Sequence, residues 1–424
     1  MDISVIGTGY VGLVTGACFA SLGHSVICVD VDSERVDCIN RGVPPIYETG
    51  LEEMLKEVLE RKRLRATTDL EEAVEGSAVS FISVGTPSGL LGDIDLRYIE
   101  EVGRDIGRYL PERYHVVVMK STVVPGTTEY SLIPLIESTS GKRAGRDFGV
   151  AMNPEFLREG SAIEDFLRPD RIVIGGIDER STETVAGLYR DFEAPIMRTD
   201  PRTAEMIKYA TNSFLATKIS FINEIGNICK PLGIDAYEVA RGLAMDSRVS
   251  PSFLRAGIGF GGSCFPKDVK AIVGKAKEVY YHPMVLNAAL ELNETQPLRL
   301  IKLAEDRVGS LRGRDVVVLG LAFKPGTDDM REAPSIKIIN SLLKKGAVVH
   351  AADPVATGEA RKIFGDRIGY YEDPREAVKK GEILLIVTEW DEFRDEGLYR
   401  GKMVFDGRKI EEARAADYYE GVCW

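Results

Sequence analysis

Short apolar runs alternate with amphipathic helical stretches over the first 200 residues of the chain. The runs predict strands at Ile3–Ile6, Val26–Val29, Ala78–Val84, His115–Met119, Val150–Met152 and Ile172–Ile174, separated by charged helical patterns such as Leu51–Arg63. Runs that are apolar throughout are typical of strands buried on both faces. This alternation therefore predicts a parallel sheet that helices cover on both sides.

The pattern changes at Pro201 to one long helix that reaches about Lys230. Apolar residues recur along it at helical spacing, at Met206, Ile207, Ala210, Phe214, Leu215, Ile219, Ile222 and Ile225. Helical sequence continues to about Val308. The strand–helix alternation then resumes, with strands at Val316–Leu319, Val348–Ala351, Ile383–Val387 and Met403–Phe405 and a helix at Ser335–Lys344.

These patterns predict an α/β protein with two Rossmann-like, doubly wound parallel-sheet domains, joined by a long central helix and a helical middle domain. The predicted domains are 1–200, 201–308 and 309–424. Ligands of doubly wound sheets bind at the carboxyl ends of the strands. The two outer domains are therefore expected to bind nucleotides and to face a shared cleft.

The amino-acid composition limits the classes of binding partner and the cellular compartment that can be expected. The chain has 424 residues, a formal charge of −12 and 44% hydrophobic residues, which excludes wholesale disorder and disfavours nucleic acid or an anionic membrane as main partner. The longest uncharged stretch, 3–29, is too rich in glycine for a signal peptide or membrane span. Six cysteines form no CxxC pair, and a cytoplasmic location is expected.

A glycine-rich loop directly follows the first predicted strand. Gly7, Gly9 and Gly12 form a GxGxxG pattern between strand and helix, and Asp30 ends the next strand 18 residues after the last glycine. This context is typical of a dinucleotide site, in which the glycines let the pyrophosphate approach the helix N-terminus and the carboxylate binds the ribose hydroxyls. NAD is favoured over NADP because a carboxylate would repel a 2′-phosphate, although Arg35 lies nearby. The alternative is a glycine turn with a surface aspartate.

The most informative segment runs from 257 to 268, where four glycines occupy seven positions just before a cysteine. Pro266 suits the first turn of a helix, so Cys264 is predicted at a helix N-terminus, where the dipole favours the nucleophilic thiolate. Asp268 lies four residues on, on the same helix face. The alternative for a lone cysteine is a small buried apolar side chain.

Other polar residues fall where active-site side chains are expected. Lys208 and Asn212 share one face of the long helix and could hold a developing oxyanion, unless they form a solvated polar stripe. Glu155 and Thr122 follow predicted strands as a candidate acid or base and a water ligand, with helix capping as the alternative. The third domain lacks the second and third glycines, so it is expected to bind a different nucleotide. Its Lys324 could meet a phosphate or sugar oxygen or remain a solvated loop lysine.

Taken together, these segments resemble the UDP-glucose/GDP-mannose dehydrogenase family, and the resemblance runs nearly end to end. The motifs that carry it are Gly7–Gly12, Val84-Gly85-Thr86-Pro87, Lys120-Ser121-Thr122, Asn153-Pro154-Glu155-Phe156-Leu157, Lys208 with Asn212, Gly261–Asp268 and Phe323-Lys324. The resemblance implies oxidation of the C6 primary alcohol of a sugar nucleotide to a carboxylate, which consumes two NAD and one water.

The resemblance also implies a covalent mechanism. The first hydride transfer gives an aldehyde, Cys264 adds to it as a thiohemiacetal, and the second transfer gives a thioester that water hydrolyses. Lys208 and Asn212 would hold the C6 oxygen, and Asp268 would support proton transfer with an ordered water. Thr122 would help to position that water.

The remaining roles follow from the same resemblance, with Glu155 expected to serve thioester hydrolysis. The implied cofactor-binding residues are Gly7, Gly9, Tyr10, Val11, Gly12, Asp30, Arg35, Thr86, Thr122, Glu159, Lys267 and Arg331. The implied substrate-binding residues are Glu155, Phe156, Leu157, Lys208, Asn212, Arg248, Phe253, Leu254, Gly261, Cys264, Lys267, Phe323, Lys324 and Arg408. No metal site is expected, because the four histidines form no cluster.

Three sugar nucleotides compete as substrate. Lys267 and Asp268 depart from the N-acetylmannosamine relatives, which place Val-Asp-Pro after the cysteine segment. The runs 158–162 and 169–172 resemble the glucose branch, so UDP-glucose is expected, with GDP-mannose as the alternative; the segment 248–251 departs from several glucose-branch members. The resemblance further implies a homodimer through the middle helix, with Arg408 supplied by the partner subunit.

Overall fold

The computed structural model describes residues 1–89 and 94–424. These residues form two separate β-sheets. The described residues divide into a first unit, Met1–Thr211, and a second unit, Asn212–Trp424, with one sheet in each. The two predicted Rossmann-like sheets are thus confirmed. The division at 200 and 308 into three domains stays a prediction.

The first unit contains an eight-stranded sheet with the order β3-β2-β1-β4-β5-β6-β7-β8. Its strands are β1 (Asp2–Ile6), β2 (Ser25–Val29), β3 (Leu64–Thr67), β4 (Val79–Ile82), β5 (Val116–Met119), β6 (Gly149–Met152), β7 (Ile172–Gly176) and β8 (Ile196–Thr199). Its helices are α1 (Tyr10–Ser21), α2 (Ser33–Asn40), α3 (Leu51–Glu60), α4 (Leu70–Gly76), α5 (Arg97–Tyr109), α6 (Ile133–Ser140), α7 (Ala162–Leu167) and α8 (Glu179–Ala186).

Both faces of this sheet are buried, which explains the continuous apolar runs. Along β5, Val116 and Val118 belong to one hydrophobic cluster, whereas Val117 and Met119 belong to the cluster on the other face. Side chains alternate between the faces of a strand, so a strand covered on both sides must be apolar at every position.

One pair of strands differs from the predicted parallel arrangement. β7 pairs antiparallel with β6 through Ala151–Gly176 and Met152–Gly175, whereas the other strand pairs among the described residues of this sheet are parallel. An apolar run marks a buried strand but carries no sign of its direction, so the sequence pattern could not indicate this reversal.

A buried polar network crosses the strands of the first unit. The Nε2 atom of His115 lies 2.8 Å from Ser80 Oγ, its Nδ1 atom lies 3.0 Å from the Ser77 carbonyl, and Ser80 contacts Ser4 at 2.6 Å. Burial lowers the pKa of His115 to about 4. The folded protein therefore holds this imidazole neutral at neutral pH.

We expect His115 to weaken the fold as the pH falls. The unfolded chain takes up the proton near pH 6.5, well above the folded value, so the free energy of unfolding should drop by about 2 kcal/mol between pH 7 and pH 5 from this group. Urea unfolding of wild type and His115→Gln at both pH values measures the slope of the free energy of unfolding against pH for each protein. The control is His282→Gln, at an exposed histidine, and an equal slope in His115→Gln and wild type would contradict the assignment.

The long helix α9 (Pro201–Cys229) confirms the predicted change of pattern at Pro201. It begins in the first unit and ends in the second. Helices α10 (Ala236–Ala244), α11 (Phe265–Glu278), α12 (Met284–Thr295) and α13 (Leu298–Val308) follow it. None of the helices in the described residues has the length and apolarity that a membrane crossing requires.

The second unit ends in a six-stranded, all-parallel sheet with the order β11-β10-β9-β12-β13-β14. Its strands are β9 (Asp315–Leu319), β10 (Val348–Ala352), β11 (Gly369–Tyr371), β12 (Ile383–Ile386), β13 (Met403–Asp406) and β14 (Tyr418–Gly421). Helices α14 (Pro334–Lys344), α15 (Thr357–Phe364) and α16 (Pro374–Ala377) accompany them. Its central strands contribute to one large hydrophobic core.

Candidate active site

In the loop between β1 and α1, glycines let backbone atoms approach more closely than a side chain would permit. Gly7 has a φ of +94°, and a Cβ atom added there would lie 2.8 Å from the Ser83 carbonyl oxygen. A Cβ on Gly12 would lie 1.9 Å from the Gly7 carbonyl oxygen, so only glycine permits this approach of helix to strand. A Cβ on Gly9 would point into open space. The buried hydroxyl of Ser83, beside Gly7 and Gly12, has no hydrogen-bond partner among the described residues.

Asp30 follows β2 and faces this loop. Its Oδ2 atom accepts from the Thr8 amide at 2.8 Å and the Thr8 hydroxyl at 2.5 Å, and its Oδ1 atom accepts from the Asp32 amide. Partial burial acts to raise the pKa of Asp30, but hydrogen bonds from Thr8 and Asp32 outweigh it and hold the pKa below its ordinary value. Arg35 pairs with Asp32 at 3.6 Å. The loop and this carboxylate fit the diphosphate and ribose of a dinucleotide.

The other predicted cofactor residues separate into two groups. Thr86 and Thr122 follow β4 and β5, at the sheet edge where the glycine loop also lies, and the Tyr10 hydroxyl accepts from the Gly160 amide at 2.6 Å. Val11 and Glu159 are half-buried in the same unit. Lys267 and Arg331 belong to the second unit, where they pair with Asp268 and Asp329 respectively.

A buried charged cluster follows β5 and β6. The ammonium group of Lys208 on α9 lies 2.8 Å from Oε1 of Glu155, and both side chains are nearly inaccessible. The second oxygen of Glu155 accepts from the Leu157 amide at 2.6 Å. Lys208 also lies over the ring of Phe156, at 5.4 Å, and the guanidinium group of Arg171 lies 4.0 Å from the same ring. A carboxylate and a lysine are therefore held together without water around them.

Lys120 belongs to the same cluster, although sequence reasoning gave it no role. Its Nζ atom donates to Asn153 Oδ1 at 3.0 Å, and Tyr189 donates to the same oxygen at 2.7 Å. Burial lowers the pKa of Lys120 to about 8; the charge of Glu155 raises it and that of Lys208 lowers it further. The available signal was a lysine placed directly after an apolar strand, within the Lys120-Ser121-Thr122 motif.

Cys264 occupies the N-cap position of α11, as the sequence predicts. Pro266 lies in the first turn, and the Ser263 hydroxyl lies 3.5 Å from Cys264 Sγ. Cys264 is only half-buried. Cys18 and Cys28 differ, because burial raises the pKa of each thiol to about 12. Deep burial of this kind is typical of cysteines that pack as small apolar side chains.

One turn into the same helix, Asp268 is almost wholly buried between two donors. Asn212 Nδ2 lies 2.7 Å from its Oδ2 atom, and Lys267 Nζ lies 2.7 Å from its Oδ1 atom. The Asp268 amide donates to the Cys264 carbonyl at 2.8 Å. The carboxylate is therefore fixed relative to the backbone that carries the thiol.

The glycines before Cys264 pack against two loops of the same unit. A Cβ on Gly261 would lie 2.5 Å from the Glu332 carbonyl oxygen, and one on Gly262 would lie 2.9 Å from the Phe323 ring. A Cβ on Gly257 would lie 2.6 Å from the Gly407 carbonyl oxygen. The glycine run thus lets the cysteine segment approach the loops that carry Phe323-Lys324 and Arg408.

Arg408 contacts loops of its own unit, and its supply to the site of a partner subunit stays a prediction. Its Nε atom donates to the Val387 carbonyl at 2.7 Å, and its Nη2 atom lies 3.5 Å from the Phe323 carbonyl. Buried Asp406 accepts from the Arg408 amide at 2.7 Å and fixes the loop. Within this chain, the guanidinium group of Arg408 is thus held near the loop that carries Phe323 and Lys324.

In the second sheet, a buried aspartate occupies the position that corresponds to Asp30. Asp353 follows β10 and is fully buried; its Oδ2 atom accepts from the amides of Leu321 and Ala322 and from the indole of Trp390. This carboxylate is turned into its own loop, next to Gly320 with a φ of +102°. It cannot offer a free oxygen to a ribose, which agrees with the prediction that this domain binds a different nucleotide.

Three further predicted substrate residues lie in the segment between α10 and α11. Arg248 is largely exposed and pairs with Asp246 at 2.6 Å. Phe253 has a φ of +64° and its ring lies 6.0 Å from that of Phe265, while Leu254 is buried. No group of three His, Cys, Asp or Glu side chains within 1–89 and 94–424 is arranged to hold a metal ion.

Comparison with known proteins agrees with these features. Family models for the NAD binding domain, the central domain and the UDP binding domain of UDP-glucose/GDP-mannose dehydrogenases match residues 1–193, 202–295 and 317–413. The UDP-glucose 6-dehydrogenase of Haloferax volcanii is 46% identical and the GDP-mannose 6-dehydrogenase of Pseudomonas syringae pv. tomato is 40% identical, each over 100% of both chains.

A solved structure shares the fold. It is that of a UDP-glucose dehydrogenase from the archaeon Pyrobaculum islandicum, with a TM-score of 0.95 and 46% identity over 100% of this chain and 97% of that chain. Family models and full-length relatives together span the two sheets and the helical region between them. The chain belongs to the UDP-glucose/GDP-mannose dehydrogenase family of NAD-dependent oxidoreductases.

Proposed function

We propose that the protein oxidises UDP-glucose to UDP-glucuronate, with two NAD and one water consumed for each sugar. The observation that carries this proposal is Cys264 at the start of α11, one turn before the buried carboxylate of Asp268. A dehydrogenase that stopped at the aldehyde would need no nucleophile. A thiol at a helix N-terminus supplies one, because the helix dipole favours the thiolate.

In the first step Lys208 and Asn212, one turn apart on α9, hold the C6 oxygen. The hydroxyl proton passes through an ordered water to the Asp268 carboxylate, and Lys208 donates to the alkoxide that forms, which stabilises the developing negative charge. Gly7, Gly9, Gly12 and Asp30 would hold NAD, which would supply the acceptor for the hydride that leaves C6. The carboxylate of Glu155 lies 2.8 Å from the Lys208 ammonium group, and this contact offsets part of the cost of burying the two groups.

In the second step the Cys264 thiolate adds to the aldehyde carbon and forms a thiohemiacetal. A second hydride transfer converts it to a thioester, and water then attacks the acyl carbon and releases the thiolate and the carboxylate. Asp268 supports proton transfer through an ordered water, Thr122 helps to position the water, and Glu155 serves the hydrolysis. Division of the reaction in this way replaces one difficult oxidation by easier steps.

The choice of UDP-glucose as the proposed substrate rests on the sequence identity with named relatives. Full-length relatives named UDP-glucose 6-dehydrogenase are 42–46% identical, and those named GDP-mannose 6-dehydrogenase are 40% identical. GDP-mannose is therefore the second candidate. Measurement of kcat/KM for UDP-glucose, GDP-mannose and UDP-N-acetylmannosamine tests the choice. We expect UDP-glucose to exceed both others by at least about tenfold, since discrimination by a site with buried polar partners is worth that much; equal or higher values for GDP-mannose would reverse the assignment.

The cofactor preference gives a direct prediction at Asp30. A charge-assisted hydrogen bond is worth about 1.5–3 kcal/mol, so Asp30→Ser should raise the KM for NAD by about tenfold or more while the KM for NADP falls. Because Asp30 also accepts from Thr8, the control is Thr8→Val, which removes the hydroxyl and leaves the carboxylate. A similar rise in KM for both variants would assign Asp30 to loop structure alone.

We also propose that the protein is a homodimer through α9. Phe214, Phe221 and Ile228 recur every seven residues on this helix and expose 64%, 48% and 54% of their surfaces. Such a stripe on a helix is typical of an interface between helices. Light scattering on Phe221→Glu and on wild type measures the mass; a wild-type monomer would contradict this proposal.

A further inference from the structure

A second buried carboxylate on α9 has no role in the reaction as proposed so far. Glu205 is completely inaccessible, and its Oε2 atom accepts from the Gly126 amide at 2.5 Å. Its Oε1 atom accepts from the Thr128 amide at 2.9 Å and from the Thr128 hydroxyl at 2.6 Å. Burial raises the pKa of Glu205 to about 7, although these hydrogen bonds act to lower it.

These contacts fix one end of the segment that carries Thr122. The other end is fixed at β4, because the Ser121 amide donates to the Ile82 carbonyl at 2.9 Å and the Ser121 hydroxyl donates to the Val84 carbonyl at 2.7 Å. Thr122 itself is half-buried between the two anchors. Its position relative to α9 therefore depends on the hydrogen bonds of Glu205.

Glu205 lies three residues before Lys208, within one turn of the same helix. The segment of Thr122 is therefore held to the helical turn that carries the proposed oxyanion donor. A simple turn needs no buried carboxylate, since the Thr127 hydroxyl, 2.7 Å from the Val124 carbonyl, already closes the turn at 124–127. Burial of a carboxylate is costly unless both oxygens are used, as they are here.

We propose that Glu205 is a positioning residue for the hydrolytic step, in which it holds Thr122 at a fixed distance from Lys208. This inference rests on the proposed function. In that step the water oxygen bonds to the acyl carbon, the C–S bond breaks with its electron pair on Cys264 Sγ, and the two water protons are released. The products are the carboxylate and the thiolate.

The test compares Glu205→Gln, Thr122→Ala and the double variant with wild type. Gln keeps the size of the side chain but replaces one acceptor oxygen with a donor that faces an amide. We expect kcat to fall about tenfold or more and KM to fall with it, so that kcat/KM stays within about twofold, because only the step after thioester formation is slowed. Enzyme quenched during turnover should carry an acyl-sugar adduct on Cys264, visible by intact-mass spectrometry, and the double variant should be no slower than the slower single variant.

Two further variants separate positioning from folding. Glu129→Gln is the matched control, because Glu129 lies in the same segment and pairs with Arg202 of α9, and its replacement leaves the three hydrogen bonds of Glu205 in place. Thr128→Val removes one donor to Glu205 with little change in shape, and it should give a smaller adduct signal of the same kind. This variant keeps the test decisive if Glu205→Gln fails to fold.

The inference would be overturned if Glu205→Gln and Thr128→Val formed no excess adduct, or if the effects of Glu205→Gln and Thr122→Ala multiplied. Failure of the proposed function looks different. In that case wild type itself would form one NADH per sugar and no adduct on Cys264 under any condition. Wild type with two NADH per sugar and an unaffected Glu205→Gln would refute the role of Glu205 alone.

Discussion

Replacement of Cys264 by alanine is expected to lower UDP-glucuronate formation by at least about 10³-fold, as loss of a catalytic nucleophile does in other enzymes. The thiol is not needed for the first hydride transfer, so aldehyde formation should survive in single-turnover experiments. The aldehyde cannot then be converted to a thioester. The measurement is product analysis by chromatography together with NADH absorbance in a single turnover.

The matched control is Cys38→Ala, since Cys38 is also half-buried but lies on α2 in the first unit. This variant should keep wild-type kcat within about twofold, as expected for a substitution away from the reacting atoms. Full turnover to the acid in Cys264→Ala would eliminate the covalent mechanism. A loss in both variants would point to a general effect of thiol removal on stability.

The second large effect is expected at Lys208. Replacement by methionine removes the proposed donor to the C6 oxygen, and kcat should fall about 10²–10³-fold, the range found when an oxyanion donor is removed. KM should change less, because the donor acts mainly on charge that develops in the transition state. Steady-state kinetics with UDP-glucose measures both parameters, and Lys302→Met on the exposed face of α13 serves as the control.

Stability distinguishes the chemical role of Lys208 from its structural one. Loss of one partner of a buried ion pair costs about 3–5 kcal/mol, because the other charge is left uncompensated. Lys208→Met should therefore be destabilised, and Lys208→Met/Glu155→Gln should recover part of the lost stability. Activity should not recover in the double variant. Recovery of activity together with stability would show that Lys208 acts only as the partner of Glu155.

Sequence patterns predicted the central strands and missed the outer ones. The four strands left unpredicted, β3, β8, β11 and β14, are the edge strands of the two sheets. Their side chains are partly exposed, as in β3, where Leu64 and Ala66 are buried but Arg65 is exposed. An edge strand needs no continuous apolar run, so the signal that marks buried strands is absent there.

The candidate site was predictable where chemistry constrains residue type. The glycine loop, Asp30 and the cysteine segment have local signatures, because backbone approach, ribose binding and a helix N-terminus each require particular residues at fixed spacing. Lys120 has only the weaker signal of a lysine directly after an apolar strand, and Glu205 has no local signature. Their importance comes from burial and from partners distant in sequence, such as Asn153 and Thr128, which only the folded chain brings together.

The central claim is that one active site performs two successive oxidations through Cys264. The most direct test is the number of NADH molecules formed per UDP-glucose, with the sugar limiting, NAD in excess and purified protein followed by absorbance to completion. The account predicts a ratio of about two for wild type and UDP-glucuronate as the product, because the thioester step carries the second oxidation. A ratio of about one, with an aldehyde as the product, would contradict it.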